Sequence, residues 1–193
     1  MTALPVQPPV RLLTIADYAA LGEDDQCRWE LQEGRLIMSP SPTPWHQLAG
    51  ARLHTQIESQ LPADLVAIPD VDVDLQLAPP DQPGSSRRPD LVVVDRAELD
   101  RVRAEGGLLR ASNVRLVVET LSPGSRRTDY VVKRGEYADA GIVHYWIVSL
   151  DPPISLTAFH LGGELGYVDD GEATDTFTTL TPCPLTIDLR RLV

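Results

Sequence analysis

The spacing of apolar and polar residues divides the first third of the chain into two helices and a hairpin. Apolar residues recur at helical spacing over 14–24 and again over 45–61. Between these segments, 28–40 alternates on either side of a turn at Glu33–Gly34, which is typical of a β-hairpin. The chain is therefore predicted to begin with a short helix, a hairpin and a longer amphipathic helix.

Three strands are predicted in the middle of the chain. A strand is predicted over 65–77, where apolar and polar residues alternate after Pro69, whereas 90–95 and 113–123 contain continuous apolar runs typical of strands buried on both faces. The remaining elements are a polar helix and loop over 97–110, a helix over 125–141, strands over 143–150 and 154–161, and further strands from Gly162 to Val193. This order predicts an α/β or α+β fold with helices packed on a mixed β-sheet.

Length and composition fit one globular domain. With 193 residues, 42% of them hydrophobic, the chain can bury a substantial core. Three early prolines predict an extended arm over 1–13, which leaves the domain at 14–193. No apolar run approaches the roughly 18 residues of a membrane span, and no signal peptide is recognisable, so no membrane partner is expected. Cys27 and Cys183 form no metal-binding pair, which favours a reducing, cytoplasmic location.

The charge of the chain argues against indiscriminate binding of nucleic acids. The net charge is -11, so the average field of the protein repels a polyanion. Residues 81–137 are less negative than the rest, because they hold eleven of the seventeen basic residues and nine of the acidic ones. This middle segment is the part of the chain that best tolerates a phosphate backbone, although scattered arginines are also typical of a solvated surface.

Two carboxylates and a lysine form the strongest candidate site. Asp90 begins one apolar strand, and Glu119 ends the apolar run of the next. Neighbouring strands can bring both carboxylates to one hard cation, so they predict a Mg²⁺ or Mn²⁺ site, with the backbone carbonyl of Thr120 as a further oxygen ligand. Lys133, the only lysine of the chain, follows on the next helix and could orient a water molecule during phosphoryl transfer.

Each of these three residues also has a structural interpretation. Asp90 follows a proline and could belong to a turn. Glu119 could lie at an exposed strand end. Lys133 could form a modest surface ion pair with Asp129, four residues earlier on the same helix. A carboxylate that is buried instead needs a cation or hydrogen-bond donors, which favours the metal site.

Weaker signals point to residues that could contact a substrate phosphate. His46 stands at the start of a predicted helix near the hairpin, where a capping or surface role is its alternative. Arg126 and Arg127 stand at the N-terminus of the helix over 125–141, where backbone N–H groups favour anions. These three residues are candidate phosphate contacts.

Asp70, Asp72 and Asp74 recur on one face of the strand predicted over 65–77. Their alternation with apolar residues predicts a solvent-facing row rather than a second metal site. Because this strand should pair with the one that begins at Asp90, Asp72 or Asp74 could still line the cleft.

Motifs spread over much of the chain carry a resemblance to a known family. They are Pro-Asp at 89–90, the run VETLSPGSRRTDYVVKRGEYADAGIVHYWIVSL at 118–150, and the run RWELQEGRLIMSPSPTPWHQ at 28–47. Over roughly 14–150 the chain resembles the Uma-two family of restriction endonucleases, within the PD-(D/E)XK nuclease superfamily. The resemblance implies a restriction-endonuclease-like core, a central mixed sheet flanked by helices, with extra strands at the N-terminal hairpin and the C-terminus.

The resemblance also implies roles for individual residues. Asp90 and Glu119 become metal ligands, and Glu30 becomes the acid that the first hairpin contributes. The position two after Glu119 holds Leu121 in place of the lysine that gives the superfamily its name. The resemblance therefore moves the catalytic lysine to Lys133 on the following helix.

These observations lead to one hypothesis and two alternatives. The hypothesis is a Mg²⁺-dependent endonuclease that hydrolyses phosphodiester bonds of a nucleic acid, with DNA favoured over RNA by the resemblance, and with a homodimer supplying two sites for a duplex. One alternative is a catalytically inactive metal- or protein-binding domain of the same fold, favoured by the negative charge. The other is a hydrolase of a small phosphorylated ligand. A basic cleft favours the first, a uniformly negative cleft the second, and a closed pocket the third.

Overall fold

The computed structural model of the protein describes residues 11–22, 28–39, 42–163 and 166–193. The extended arm predicted over 1–13 therefore lies outside the described residues except for its last three positions, and Cys27 lies outside them as well.

The described residues form four α-helices and thirteen strands. The helices are α1 (Ile15–Ala19), α2 (Pro44–Glu58), α3 (Arg96–Glu105) and α4 (Arg134–Asp139). The strands are β1 (Arg28–Gln32), β2 (Arg35–Ser39), β3 (Leu65–Pro69), β4 (Val73–Asp74), β5 (Ser86–Arg87), β6 (Leu91–Asp95), β7 (Leu109–Arg110), β8 (Val114–Thr120), β9 (His144–Ser149), β10 (Ser155–Leu161), β11 (Tyr167–Ala173), β12 (Thr176–Thr179) and β13 (Leu185–Asp188). A π-helical stretch, Thr128–Lys133, leads directly into α4.

The largest sheet has six strands in the order β11-β10-β9-β8-β6-β3. The pair β8 and β9 is parallel, and the other neighbours are antiparallel, so the mixed sheet predicted from the sequence is confirmed. In the register of β6 with β8, Leu91 lies opposite Val118. The next positions along the two strands are Asp90 and Glu119, so the antiparallel pairing brings the two predicted metal ligands to the same end of the sheet.

Apolar side chains cover both faces of this sheet. On one face, Leu91, Val93, Leu116 and Val118 pack with Ala49, Leu53 and Ile57 of α2 and with Leu185 and Ile187 of the tail. On the other face, Val92, Val94, Val117 and Tyr145 pack with Leu109, Tyr137 and Tyr167. Because neither face meets water, β6 and β8 are apolar at consecutive positions, which explains the continuous runs in the sequence.

A second sheet, in the order β2-β1-β5-β4-β7, carries the N-terminal hairpin. The hairpin turns at Glu33 and Gly34, which have φ angles of 48° and 78°, as the sequence predicted. A Cβ atom on Gly34 would lie 2.7 Å from Cβ of Leu12, so both conformation and space require glycine there. The hairpin is thereby held beside the sheet end that carries Asp90.

The structure differs from the prediction of one strand over 65–77. The first part, β3, pairs with β6 in the large sheet, as expected, but the second part, β4, belongs to the smaller sheet. Asp70 lies between them at a φ of 53°, in the left-handed region, which a continuous strand excludes. The apolar run before the bend and the alternation after it are both compatible with one strand, so periodicity alone does not reveal the bend.

Two further elements end differently from their predictions. The strand predicted over 113–123 ends at Thr120, after which the chain leaves the sheet. The helix predicted over 125–141 is present, but it widens into π-helical turns over Thr128–Lys133 before α4. Gly141 follows the helix at a φ of 75°, as its predicted stop signal requires. Among the described helices, none has the length and apolar character needed to cross a membrane.

Candidate functional site

A cleft of about 490 Å³ opens at the sheet end where Asp90 and Glu119 meet. Its walls come from the hairpin β1–β2, the first turn of α2, the junction of β3 with β4, and the loop that leads into the π-helical stretch. The predicted site residues Glu30, Asp90, Glu119, Thr120 and Lys133 all line it, so segments far apart in sequence contribute to one site.

Asp90 is held in place by the neighbouring strand and by α2. The backbone N–H of Thr120 donates to Asp90 Oδ2 at 2.6 Å. His46 Nε2 lies 3.1 Å from the same oxygen and 3.1 Å from the carbonyl oxygen of Thr120. A carbonyl only accepts hydrogen bonds, so Nε2 carries the proton and donates to both. Asp90 is therefore oriented by fixed donors, contrary to the interpretation of a simple turn residue.

Glu119 is buried, with 3% of its surface exposed, and its Oε1 atom accepts two hydrogen bonds. Lys133 Nζ donates at 2.9 Å and the Tyr137 hydroxyl at 2.7 Å. The interpretation of Glu119 as an exposed strand-end residue is wrong, because the helix that carries Lys133 and Tyr137 covers it. Within the described residues, no hydrogen bond reaches Oε2 of Glu119 or Oδ1 of Asp90.

Lys133 points inward from the π-helical stretch and contacts several carboxylates. Its Nζ lies 3.6 Å from Glu30 Oε1 and 3.7 Å from Asp129 Oδ1, in addition to its bond with Glu119. The side chains of Lys133 and Asp129 are only 11% and 4% exposed, so the modest surface ion pair considered from the sequence is wrong. π-helical turns inside α-helices are frequent at functional sites, and here the stretch carries both buried charges.

Glu30 is buried beside Lys133 by a clamp that the sequence did not reveal. Arg87 Nη1 donates to Glu30 Oε2 at 2.8 Å, and the backbone N–H of Arg88 donates to Oε1 at 3.1 Å. The same guanidinium binds Glu136 of α4 with two further hydrogen bonds of 2.6 and 2.7 Å. Arg87 therefore ties the hairpin to the helix that carries Lys133. The pattern in β1 suggested a solvent-facing Glu30, and only the family resemblance pointed to the cleft.

The charges in the cleft shift one another's pKa values. Burial raises the pKa of Glu119 to about 8; the positive charge of Lys133 opposes this shift and the carboxylate of Asp90 reinforces it. Burial alone would lower the pKa of Lys133, but Glu119, Glu30 and Asp129 outweigh it and raise that pKa. Burial acts to raise the pKa of Glu30, but Lys133 and Arg87 hold it below its ordinary value. Lys133 is thus charged, while Glu119 retains its proton near neutral pH.

The cleft contains acidic and basic side chains in nearly equal number. Its ionisable residues are the four cations Arg28, Arg87, Arg88 and Lys133 and the five acids Glu30, Asp70, Asp90, Glu119 and Asp129. Because Glu119 retains its proton near neutral pH, the other four carboxylates balance the four cations, and the cleft is neither basic nor uniformly negative. A bound divalent cation would leave the cleft with a net positive charge.

The residues present fit a hard divalent cation. Asp90 and Glu119 each keep an oxygen that accepts no hydrogen bond from the described residues, and carboxylate oxygens are the preferred ligands of Mg²⁺. In the described part of the chain, no group of three or more His, Cys, Asp or Glu side chains is arranged to hold a metal ion. Two carboxylates are nevertheless sufficient for Mg²⁺, which usually keeps several water molecules.

Of the three weaker candidates for phosphate contacts, His46 lies in the cleft and the two arginines lie outside it. His46 lies in the cleft, but it is buried and its Nε2 proton is used by Asp90 and Thr120, so it orients the candidate metal ligand. The hydrogen bond to Asp90 raises the pKa of His46, against the effect of burial. Arg126 and Arg127 are both exposed, and neither lines the cleft. The guanidinium of Arg126 lies over the Tyr130 ring, 4.9 Å from the ring centroid. The cleft therefore does not contain these two arginines.

Several residues of the site were not predicted. The sequence predicted no role in the site for Arg87, Glu136 or Tyr137, although all three organise the cleft. The available signal was the helical spacing of Lys133, Glu136 and Tyr137, which places them on neighbouring positions of one helix. Asp70 also lines the cleft, whereas Asp72 and Asp74, which were considered for it, do not.

Comparison with known proteins adds a family and a fold. The family model described as "Uma2: Putative restriction endonuclease" matches residues 15–186. Among solved structures, the chain is similar to a putative nuclease belonging to DUF820 from Anabaena variabilis ATCC 29413, with 17% sequence identity and a TM-score of 0.68. That match covers 93% of this chain and 97% of the other, and it establishes the likeness of the fold. No curated protein matches the chain.

Proposed function

The chain belongs to the Uma2 family, whose model is described as "Putative restriction endonuclease", and from this premise we propose that it is a divalent-metal-dependent endonuclease that hydrolyses phosphodiester bonds. The substrate class is a nucleic acid, with DNA favoured over RNA by the restriction endonuclease description of the family. The observation that carries the proposal is Lys133 buried in a cleft against Glu119, on the strand that neighbours Asp90.

Each residue of the cluster has a distinct task in this proposal. Asp90 and Glu119 hold Mg²⁺ or Mn²⁺, with the carbonyl of Thr120 as a further oxygen, which keeps one lone pair beside its hydrogen bond from His46. A bound cation of this kind lowers the pKa of a coordinated water and polarises a phosphoryl oxygen. Lys133 donates a hydrogen bond to the attacking water or to the charge that develops on the phosphate.

The remaining residues position these groups. His46 and the Thr120 N–H fix the carboxylate of Asp90, and Tyr137 fixes that of Glu119. Glu30 assists through its contact with Lys133, because it compensates the lysine charge at 3.6 Å and keeps the ammonium inside the cleft. Orientation of ligand side chains by surrounding hydrogen bonds commonly determines how well a metal site functions.

The second candidate function is a catalytically inactive member of the same fold that binds a metal or another protein. The net charge of -11 favours it, because it repels a phosphate backbone in the absence of a cation. Hydrolysis of a small phosphorylated ligand is the third candidate, and the restricted cleft volume of about 490 Å³ is compatible with it.

Calorimetry and a nicking assay on the same protein samples test the proposal. We expect wild type to bind Mg²⁺ or Mn²⁺ and to nick supercoiled plasmid DNA, and Asp90→Asn/Glu119→Gln to do neither, since it lacks both carboxylate charges. A matched control is Asp95→Asn/Glu98→Gln, which removes one surface carboxylate and one buried carboxylate outside the cleft.

The outcomes separate the candidate functions. The nuclease is supported if Asp90→Asn/Glu119→Gln loses both metal binding and nicking while the control variant keeps both. Metal binding without cleavage of DNA or RNA refutes it and favours the inactive domain, or the small-ligand hydrolase if a phosphorylated small molecule is hydrolysed instead. Absence of metal binding by wild type refutes the metal-dependent proposal.

We also propose a single domain, a cytoplasmic location and a homodimer. Residues 14–193 form one domain, which the family match over residues 15–186 supports. The protein acts in the cytoplasm, in keeping with the free, buried thiol of Cys183. A homodimer supplies the two sites that duplex cleavage uses, and light scattering after gel filtration tests it through the mass of the particle.

A further inference from the structure

Two arginines at the rim of the cleft share one carboxylate. Asp70 Oδ2 lies 2.7 Å from Arg28 Nη2, and Asp70 Oδ1 lies 3.2 Å from Arg88 Nε. Arg88 Nε also donates to the backbone carbonyl of Asp70 at 3.2 Å, and its Nη1 lies 3.9 Å from Asp72. All three members of this trio line the cleft. They come from β1, from the bend between β3 and β4, and from the residue after β5.

The trio differs from the other arginine in the cleft, Arg87. The side chain of Arg87 is 3% exposed and donates three hydrogen bonds to Glu30 and Glu136, so it serves as a structural clamp. The side chains of Arg28 and Arg88 are 33% and 23% exposed, and each has N–H groups beyond those that face Asp70. A guanidinium offers five N–H donors in a planar fork that matches phosphate oxygens.

The backbone conformation of Asp70 fixes the position of its carboxylate. Its φ of 53° places it in the left-handed region, which costs free energy for most residues and is tolerated by Asp and Asn. This conformation bends the chain between the two sheets and directs Asp70 towards the rim, where its carboxylate lies between Arg28 and Arg88.

We propose that Arg28 and Arg88 form a binding site for a phosphate of the nucleic-acid backbone, and that Asp70 is the counter-ion that keeps the two guanidinium groups aligned and limits their affinity. This inference rests on the proposed function, because it assigns a phosphodiester substrate to the same cleft. The trio has one net positive charge, so it balances the single charge of one phosphodiester. In a chain with a net charge of -11, such a site would confine phosphate binding to the cleft.

Fluorescence anisotropy with a short labelled DNA duplex tests the site. Binding is measured over a series of salt concentrations, with Ca²⁺ in place of Mg²⁺, and a gel confirms that the duplex stays intact. We expect Arg28→Gln/Arg88→Gln to weaken binding on the order of tenfold and to reduce the salt slope by about one, because the single phosphate that the two arginines share is no longer neutralised. The matched control is Arg115→Gln/Arg190→Gln, which removes two arginines that also form ion pairs, with Asp95 and Asp188, but lie outside the cleft.

A second variant tests the role of the counter-ion. Asp70→Asn retains the left-handed conformation and should tighten binding on the order of threefold, because it removes the charge that competes with phosphate. Asp95→Asn makes the same charge change beside Arg115 and should leave the affinity nearly unchanged. Calorimetry with Mg²⁺ alone should give the same metal affinity for Asp70→Asn and wild type, since Asp70 is no metal ligand in the proposal.

The outcomes separate this inference from the proposed function. If the cleft variants and their controls change DNA affinity equally, net charge explains the binding and the inference is overturned. Plasmid nicking by wild type would still support the proposed nuclease in that case. Selective effects of the cleft variants without any nicking support the phosphate site and overturn the nuclease. A wild-type protein that neither binds nor cleaves the duplex overturns both.

Discussion

The substitution Glu119→Gln should change how the stability of the metal-free protein depends on pH. Glu119 is 3% exposed, and burial raises its pKa from 4.5 to about 8. Below pH 4.5 the carboxyl is protonated in both the folded and the unfolded chain. As pH rises towards 8 the unfolded chain ionises while the folded chain holds the proton, so this group lowers the free energy of unfolding. The glutamine side chain does not ionise in this pH range, so Glu119→Gln lacks this pH dependence.

The magnitude follows from the two pKa values. At about 1.4 kcal/mol per tenfold change in proton affinity, ionisation of this group destabilises wild type by about 3 to 4 kcal/mol between pH 5 and pH 8. Glu119→Gln should therefore gain that amount relative to wild type over the same interval. Urea unfolding in the presence of EDTA, at pH 5, 6, 7 and 8, measures the difference at each pH.

Glu98→Gln is a matched control with the opposite sign. Glu98 is buried as well, but its pKa is lowered, first by hydrogen bonds from Arg101, so it stabilises the fold above pH 4.5 and loses that effect only as pH falls. We expect Glu98→Gln to be destabilising by a constant amount between pH 6 and pH 8. A pH-independent difference for Glu119→Gln, or a difference that favours wild type as pH rises, would refute the argument that Glu119 is protonated in the folded protein.

Divalent metal should offset most of the advantage that the glutamine variant has at pH 8. A ligand at 100 times its Kd stabilises the folded state by about 2.7 kcal/mol, and only wild type keeps both carboxylates that we propose as ligands. Repeating the pH 8 measurement with saturating Mg²⁺ should therefore stabilise wild type and leave Glu119→Gln nearly unchanged. Equal stabilisation of both proteins would remove Glu119 from the metal site.

Two other substitutions probe the charges around this carboxylate. Lys133→Met should reduce turnover in the nicking assay by about 10²-fold or more while calorimetry still detects metal binding, because one donor to developing charge is lost; wild-type turnover would exclude the lysine from the reaction. Arg87→Met should lower the free energy of unfolding by about 3–5 kcal/mol, because the buried carboxylate of Glu30 and the half-buried carboxylate of Glu136 lose their partner. The exposed pair of Arg115 provides the control, and Arg115→Met should cost at most about 1 kcal/mol in the same urea titration.

The strands buried on both faces of the sheet were predictable because their sequence pattern is characteristic. Short apolar runs such as those of β6 and β8 are typical of covered strands, and a glycine turn such as Glu33–Gly34 between alternating residues is typical of a hairpin. The same pattern placed Asp90 and Glu119 at adjacent strand ends. Local pattern and motif resemblance together were therefore sufficient for the fold class and for the centre of the candidate site.

The bend at Asp70 shows where local pattern fails. The apolar run over 65–69 and the alternation over 70–77 are both compatible with a single strand, yet the left-handed φ at Asp70 transfers the second half to another sheet. The pattern of apolar and polar residues indicates which side chains are exposed to water. It does not indicate which sheet each half of the segment joins. The change of sheet depends on pairing with β5 and β7, which lie far along the chain.

Periodicity and turn chemistry are local properties, so they were sufficient to predict the mixed sheet, the hairpin, the order of the helices and the pair of carboxylates at the strand ends. The burial of Lys133, the clamp between Arg87 and Glu30, and the contact of His46 with Asp90 depend instead on tertiary packing. Whether a charged side chain is exposed or buried depends on which distant segment covers it. That information lies in the packing of the hairpin and α2 against the end of the sheet, and no window of neighbouring residues contains it.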